Sequence, residues 1–154
     1  MMNEHGNPGQ ESGQAYWAAG LSLLMPYLGG ILQLVLPAIL LQQARSNPSR
    51  LVRENARWAA NWNLTCFVLF HSLSVASMWL GVITFVFLID ELFTWAIILM
   101  CLACLIAVVH LVVTAIGIVV AGRRIFRPVM AIPFFRETEP EREEFVTVSG
   151  EPVP

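Results

Sequence analysis

Three long apolar stretches dominate the chain. Residues 12–44, 58–89 and 92–122 contain no Asp, Glu, Lys or Arg, in runs of 33, 32 and 31 residues. About 20 apolar helical residues span the roughly 30 Å hydrocarbon core of a bilayer. The pattern predicts an all-α polytopic membrane protein with three transmembrane helices, over about 16–43, 60–89 and 92–122. The first run is the irregular one, because Pro26, Gly29-Gly30 and Pro37 interrupt it. An interior proline removes a helix hydrogen bond and clashes with the preceding turn. Broken backbone inside a membrane is tolerated only where protein or a water-filled cavity covers it. Two arrangements satisfy that condition. One is a single broken crossing. The other is a re-entrant pair of half-helices meeting near Gly29-Gly30. We adopt the single crossing as the working expectation.

The flanks fix the limits of the helical domain. Residues 1–15 are polar, with Gly and Pro, and read as a disordered lead. They contain acids and no arginine, unlike the basic start of a secretory signal. Residues 16–135 form the helical membrane domain. Residues 136–154 hold six Glu, two Arg and three Pro, and read as an acidic disordered tail.

Charge orients the layout. Arg45, Arg50, Arg53 and Arg57 surround a single Glu54, and Arg123, Arg124 and Arg127 follow the third run. Excess arginine in short loops marks the cytoplasmic side. Three crossings place both clusters in the cytoplasm and the Asp90-Glu91 break outside. The expected location is a bacterial cytoplasmic membrane, multi-pass, with the N-terminus outside and the C-terminus cytoplasmic. Tyr16, Trp17, Phe93 and Trp95 would then lie at the outer interface, and Trp58, Trp62 and Phe126 at the inner one.

Composition agrees. The chain is 56% hydrophobic and 13% charged, with a formal net charge of −2, against roughly 25% charged residues in soluble domains. This excludes a soluble enzyme, a nucleic-acid-binding domain and a disulfide scaffold. Cys66, Cys101 and Cys104 all fall inside apolar runs. Cys101 and Cys104 share a helix face, but His110 lies on the opposite one, so they do not set up a zinc site.

Polar side chains within the apolar runs are the candidate site residues. Asn61 and Asn63 open the second run. They can be solvated at the interface, line an inner vestibule, or clasp the first helix or the 45–57 loop. Gln33 is a further buried amide, able to line a cavity or bind a helix. His71 and His110 sit at similar expected depths, and intramembrane ionisable groups are functional candidates by default. They are weak candidates for a cofactor or proton pathway, each also readable as a neutral, hydrogen-bonded histidine. No catalytic residues, metal ligands or cofactors are assigned. Small residues four apart, at Ser77/Gly81, Ala103/Ala107 and Gly117/Ala121, permit close helix packing.

Three stretches carry a family resemblance. They are GGILQLVLPAILLQQA ending the first run, VRENARWAANWNLT leading the second, and AGRRIFRPVMAIPFF closing the third. Together they resemble a small bacterial membrane family of unknown function described as Tic-twenty-like, after an inner-envelope subunit of the chloroplast import translocon. On that match Ala59, Asn61, Trp62 and Asn63 stand at the family's Ala, Asn, Phe and Gln positions, Pro128 matches, and Arg127 replaces a usual Tyr. The resemblance implies a compact helical membrane domain and no activity.

The expected function is therefore that of a non-enzymatic accessory or scaffold subunit of a membrane complex. Its partners would be the lipid bilayer and a protein partner or further copies of itself, with no nucleic acid. One alternative is a transport or translocation component using the broken first helix within an oligomer. A second is a haem or quinone protein using His71 and His110.

Overall fold

The structure of the protein, a computed structural model, describes residues 8–24, 29–47 and 49–136. These residues are all-helical, with no strand among them. Helix α1 (Pro8–Ala18) continues into a 3-10 turn (Ala19–Leu24), and α2 (Gly29–Arg45), α3 (Arg50–Phe87) and α4 (Asp90–Val120) follow. Residues 8–15, expected as a disordered lead, thus begin in helix. Apart from Arg136, the acidic tail lies outside the described residues, as do residues 1–7 and Pro26.

Helices α3 and α4 form a long antiparallel hairpin. At 1.5 Å per residue they extend about 57 and 46 Å. Both are long and apolar enough to cross a membrane, and only 11% and 17% of their most apolar windows are buried. A soluble core would bury such surface, so these helices present it to lipid. The hairpin turns at Leu88, whose backbone is left-handed (φ 55°, ψ 40°) and whose N–H donates to Thr84 O at 2.7 Å. Asp90 and Glu91 were expected to form the break between spans. They occupy the first turn of α4 instead, where the positive end of the helix dipole favours carboxylates.

At the other end, α3 begins within the basic segment. Asn47 Oδ1 accepts from the Ser49 N–H at 2.9 Å, which closes the turn leading into it. Ser49 stands at the N-cap with extended backbone and makes no side-chain cap bond.

Small residues form the α3–α4 seam. Ser77, Ala96 and Ala103 are buried, and Ser77 Oγ donates to Ala96 O at 2.7 Å. Replacing Ser77 with Ala is expected to cost about 0.6–1.7 kcal/mol, read as a lower midpoint of unfolding in mixed detergent. The loss stays modest because the truncation removes the donor without adding bulk.

The first apolar run departs from the expected single crossing. Gly13 packs on the Ala121 carbonyl, and Gly20 sits against Thr114 and Asn63. Gly30 meets His71 further along α3. Helix α2 then returns, and its Leu41 and Ala44 pack with Ala56 and Ala60 near the start of α3. The run therefore enters and leaves at the arginine-bearing end and reaches only part-way along the hairpin. Two long helices and a folded-back pair of shorter elements replace three spans. The breaking residues explain this: α2 starts at Gly29, the other half ends in the 3-10 turn, and α2 has 17 residues, too few for a comfortable crossing. Pro37 lies inside α2 without ending it.

This geometry predicts the labelling of single-cysteine variants by a membrane-impermeant thiol reagent. Gln14→Cys and Ser46→Cys should react from one side of a sealed membrane, and Glu91→Cys from the other. Reaction of Gln14→Cys together with Glu91→Cys would restore the three-crossing layout.

Candidate functional site

The folded-back segment meets the hairpin around buried aromatic and polar side chains. Trp17, expected at the outer interface, is fully buried near the arginine-bearing end. Its ring lies against Gly117, where a Cβ would come within 2.3 Å of it, and packs edge-on to Phe126 at 5.1 Å between centroids. Only a residue without a side chain lets α1 approach α4 this closely.

One helical turn above, Gly20 fills the same role against Thr114. His110 is completely buried there, and its Nε2 lies 3.0 Å from Gly20 O. A carbonyl only accepts, so Nε2 carries the proton and Nδ1 keeps a bare lone pair. Trp62 stacks on the imidazole, with centroids 6.2 Å apart and planes 14° apart. Asn63 uses its Nδ2 to donate to Ala59 O at 2.8 Å, one turn back in α3. Asn63 Oδ1, His110 Nδ1, Thr114 Oγ1 and the Trp62 indole N–H form no hydrogen bond. Two of the residues singled out from the sequence, Asn63 and His110, therefore belong to one buried cluster of polar atoms around Gly20.

The other candidates stand apart. His71 is half-buried; its Nδ1 donates to Phe67 O at 2.9 Å, and its ring packs on Phe67 and Phe70. Its Nε2 faces Gly30. His110 is level with Trp62 and Asn63, so about 12 Å of the α3 axis separates it from His71. The two histidines do not converge on a common ligand position. Gln33 is buried on α2, with its Oε1 unpaired. No group of three His, Cys, Asp or Glu able to hold a metal occurs among the described residues. Cys101 and Cys104 are exposed on α4, and Cys66 is buried.

Asn61 clasps neither the first helix nor the 45–57 loop. It binds the strap that follows α4, residues 121–136. Its Nδ2 donates to Phe135 O at 3.1 Å and its Oδ1 accepts from Phe135 N–H at 2.8 Å. Thr65 Oγ1 accepts from Ile132 N–H at 2.9 Å. Asn55 fastens the start of the strap. Its Oδ1 accepts from Phe126 N–H at 3.0 Å, while its Nδ2 reaches Ala121 O, Arg124 O and Leu51 O at 3.2, 3.3 and 3.1 Å. Sequence reasoning passed over Asn55 because it lies among arginines. It stands seven and eleven residues before Trp62 and Cys66, and that helical spacing was the available signal.

Beside this clasp, buried Glu54 pairs with Arg57 at 2.6 Å, and Arg127 approaches the same carboxylate at 3.8 Å. Both guanidinium groups lie over the Trp58 ring, at 5.6 and 5.7 Å from its centroid.

These features define a small helical membrane protein in which Asn55, Asn61, Thr65 and His110 bind backbone groups of neighbouring segments. A model of the MamF/MmsF family, described as the magnetosome magnetite crystal formation protein family, matches residues 13–135. The chain belongs to that family. This corrects the Tic-twenty-like resemblance, whose short motifs record basic flanks and proline breaks without specifying a family. No curated protein and no solved structure matches the chain.

Proposed function

We propose that the chain is a non-enzymatic membrane protein serving as an accessory or scaffold subunit in the formation of magnetite crystals. The family match over residues 13–135 carries this reading. The geometry supports it through the use the chain makes of its polar groups. Asn55, Asn61 and Thr65 bind the strap, and His110 binds the Gly20 carbonyl. The apolar surface of α3 and α4 offers the lipid bilayer as the first partner, and the protein would reside in the membrane that bounds the growing crystal.

Deleting the gene in its host tests the proposal. The expected result is a change in the number or size of magnetite crystals seen by electron microscopy, reversed by the intact chain. Crystals unchanged in number, size and shape would overturn it.

A further inference from the structure

The arginine-bearing end of the hairpin is rich in positive charge, and an acidic segment follows the strap in sequence. Arg45, Arg50, Arg123, Arg124 and Arg127 are all exposed. The Asn55 amide nitrogen bonds both Leu51 O and Arg124 O, which brings the start of α3 beside the start of the strap. Glu54, the single carboxylate in residues 45–57 and 121–136, is buried and shared between Arg57 at 2.6 Å and Arg127 at 3.8 Å, so these segments keep an excess of positive charge.

Asn61 holds Phe135 by both its N–H and its carbonyl. Phe135 also packs against the cluster that contains Ala44, the neighbour of Arg45. The chain therefore reaches residue 136 beside α3 at the level of Asn61. Residues 137–144 follow, with Glu137, Glu139, Glu141, Glu143 and Glu144 against Arg142. Eight residues reach up to about 27 Å, more than two helix diameters. Arg50 opens α3 eleven residues before Asn61, about 16 Å along the axis, and is within that reach.

We infer that the acidic segment 137–144 docks back onto the arginine face of the same chain formed by Arg45, Arg50, Arg123, Arg124 and Arg127. The tether keeps the local concentration of the segment high, in the manner of any linked pair of sites. Opposite charge supplies the attraction, and the docked segment covers arginines that would otherwise meet anionic lipid headgroups. The contact is exposed to solvent, so salt screens it.

The test uses the full-length chain with its three native cysteines changed to Ala, spin-labelled at Gln43→Cys and Val146→Cys, in phosphatidylcholine nanodiscs. At about 0.01 M salt, where the Debye length is about 30 Å, a short inter-label distance should dominate. At about 1 M salt, where it falls to about 3 Å, the distribution should broaden and lengthen. This titration needs no further substitution. Changing the five glutamates of 137–144 to Gln should give the high-salt distribution already at low salt, and so should Arg123, Arg124 and Arg127→Gln. A distribution indifferent to salt and to both sets of changes would overturn the inference. Loss of the short distance on diluting labelled chains with unlabelled ones would overturn it too, by assigning the contact to a second copy. So would its retention in the arginine variant, which would leave that face to lipid.

Discussion

Gly117→Val should detach the N-terminal segment from the hairpin. A Cβ at position 117 would lie 2.3, 2.4 and 2.8 Å from Cδ2, Cε3 and Cγ of Trp17. Cγ is the root of the indole, so the ring cannot step aside without carrying α1 with it. Trp17 is fully buried, and Phe126 closes its other side. Overpacking a filled site costs about 1–3 kcal/mol, and the root contact puts this substitution at the upper end. The cost should appear as local opening rather than global unfolding, because α3 and α4 keep their own seam through Ser77 and Ala96. Amide hydrogens of residues 13–24 should then exchange about 5- to 150-fold faster, the factor that such an energy implies. Gly81→Val is the control, since a Cβ there meets nothing within 4 Å. Its effect should stay within about 0.5 kcal/mol, as for other surface changes. Equal effects at positions 81 and 117 would refute the docking of Trp17.

Asn55→Leu should release the strap. The substitution keeps the branched shape and the number of heavy atoms, and removes one acceptor and two donors. It strips Phe126 N–H, Ala121 O and Arg124 O of their side-chain partner. A net hydrogen bond contributes about 0.5–1.5 kcal/mol, and orphaning a buried group costs about 1–3 kcal/mol. A total of about 2–4 kcal/mol follows, reduced where water reaches the strap. Trypsin cleavage after Arg123 and Arg124 reads the release directly, as faster cutting in the variant; Pro128 blocks cleavage after Arg127. Asn55→Asp should fare no better, because it keeps the acceptor for Phe126 N–H but turns a second oxygen toward the carbonyls of Ala121 and Arg124. A cleavage rate equal to that of the unaltered chain would show that Asn61 and Thr65 hold the strap unaided.

The apolar runs and their flanking charges made the two long helices legible from sequence, because lipid imposes length and hydropathy on a span. The hairpin turn was displaced by only two residues, since acids tolerated in a turn are also favoured in the first turn of a helix. The fold-back of the first run was less legible. Pro26 and Gly29-Gly30 announced a break, but its direction depends on tertiary partners that no local rule contains: Gly13 against Ala121, Gly20 against Thr114, Gly30 against His71. Trp17 misled for a related reason. A tryptophan near a charge boundary ordinarily marks an interface, and only the absence of a side chain at Gly117, a hundred residues on, reveals that it is buried. Asn63 and His110 were recognisable as polar groups in apolar runs, whereas their meeting at Gly20 required the fold-back first.

The half-length reach of the folded-back pair has a mechanical consequence. Near the arginines five stretches of chain, α1, α2, α3, α4 and the strap, fill the cross-section, whereas beyond His71 only α3 and α4 continue among the described residues. The described part is thus a wedge, broad at its arginine-bearing end and slender at the hairpin turn. Such a body fits with least distortion where the lipids around its broad end are spread apart, on the outward-bulging face of a small vesicle.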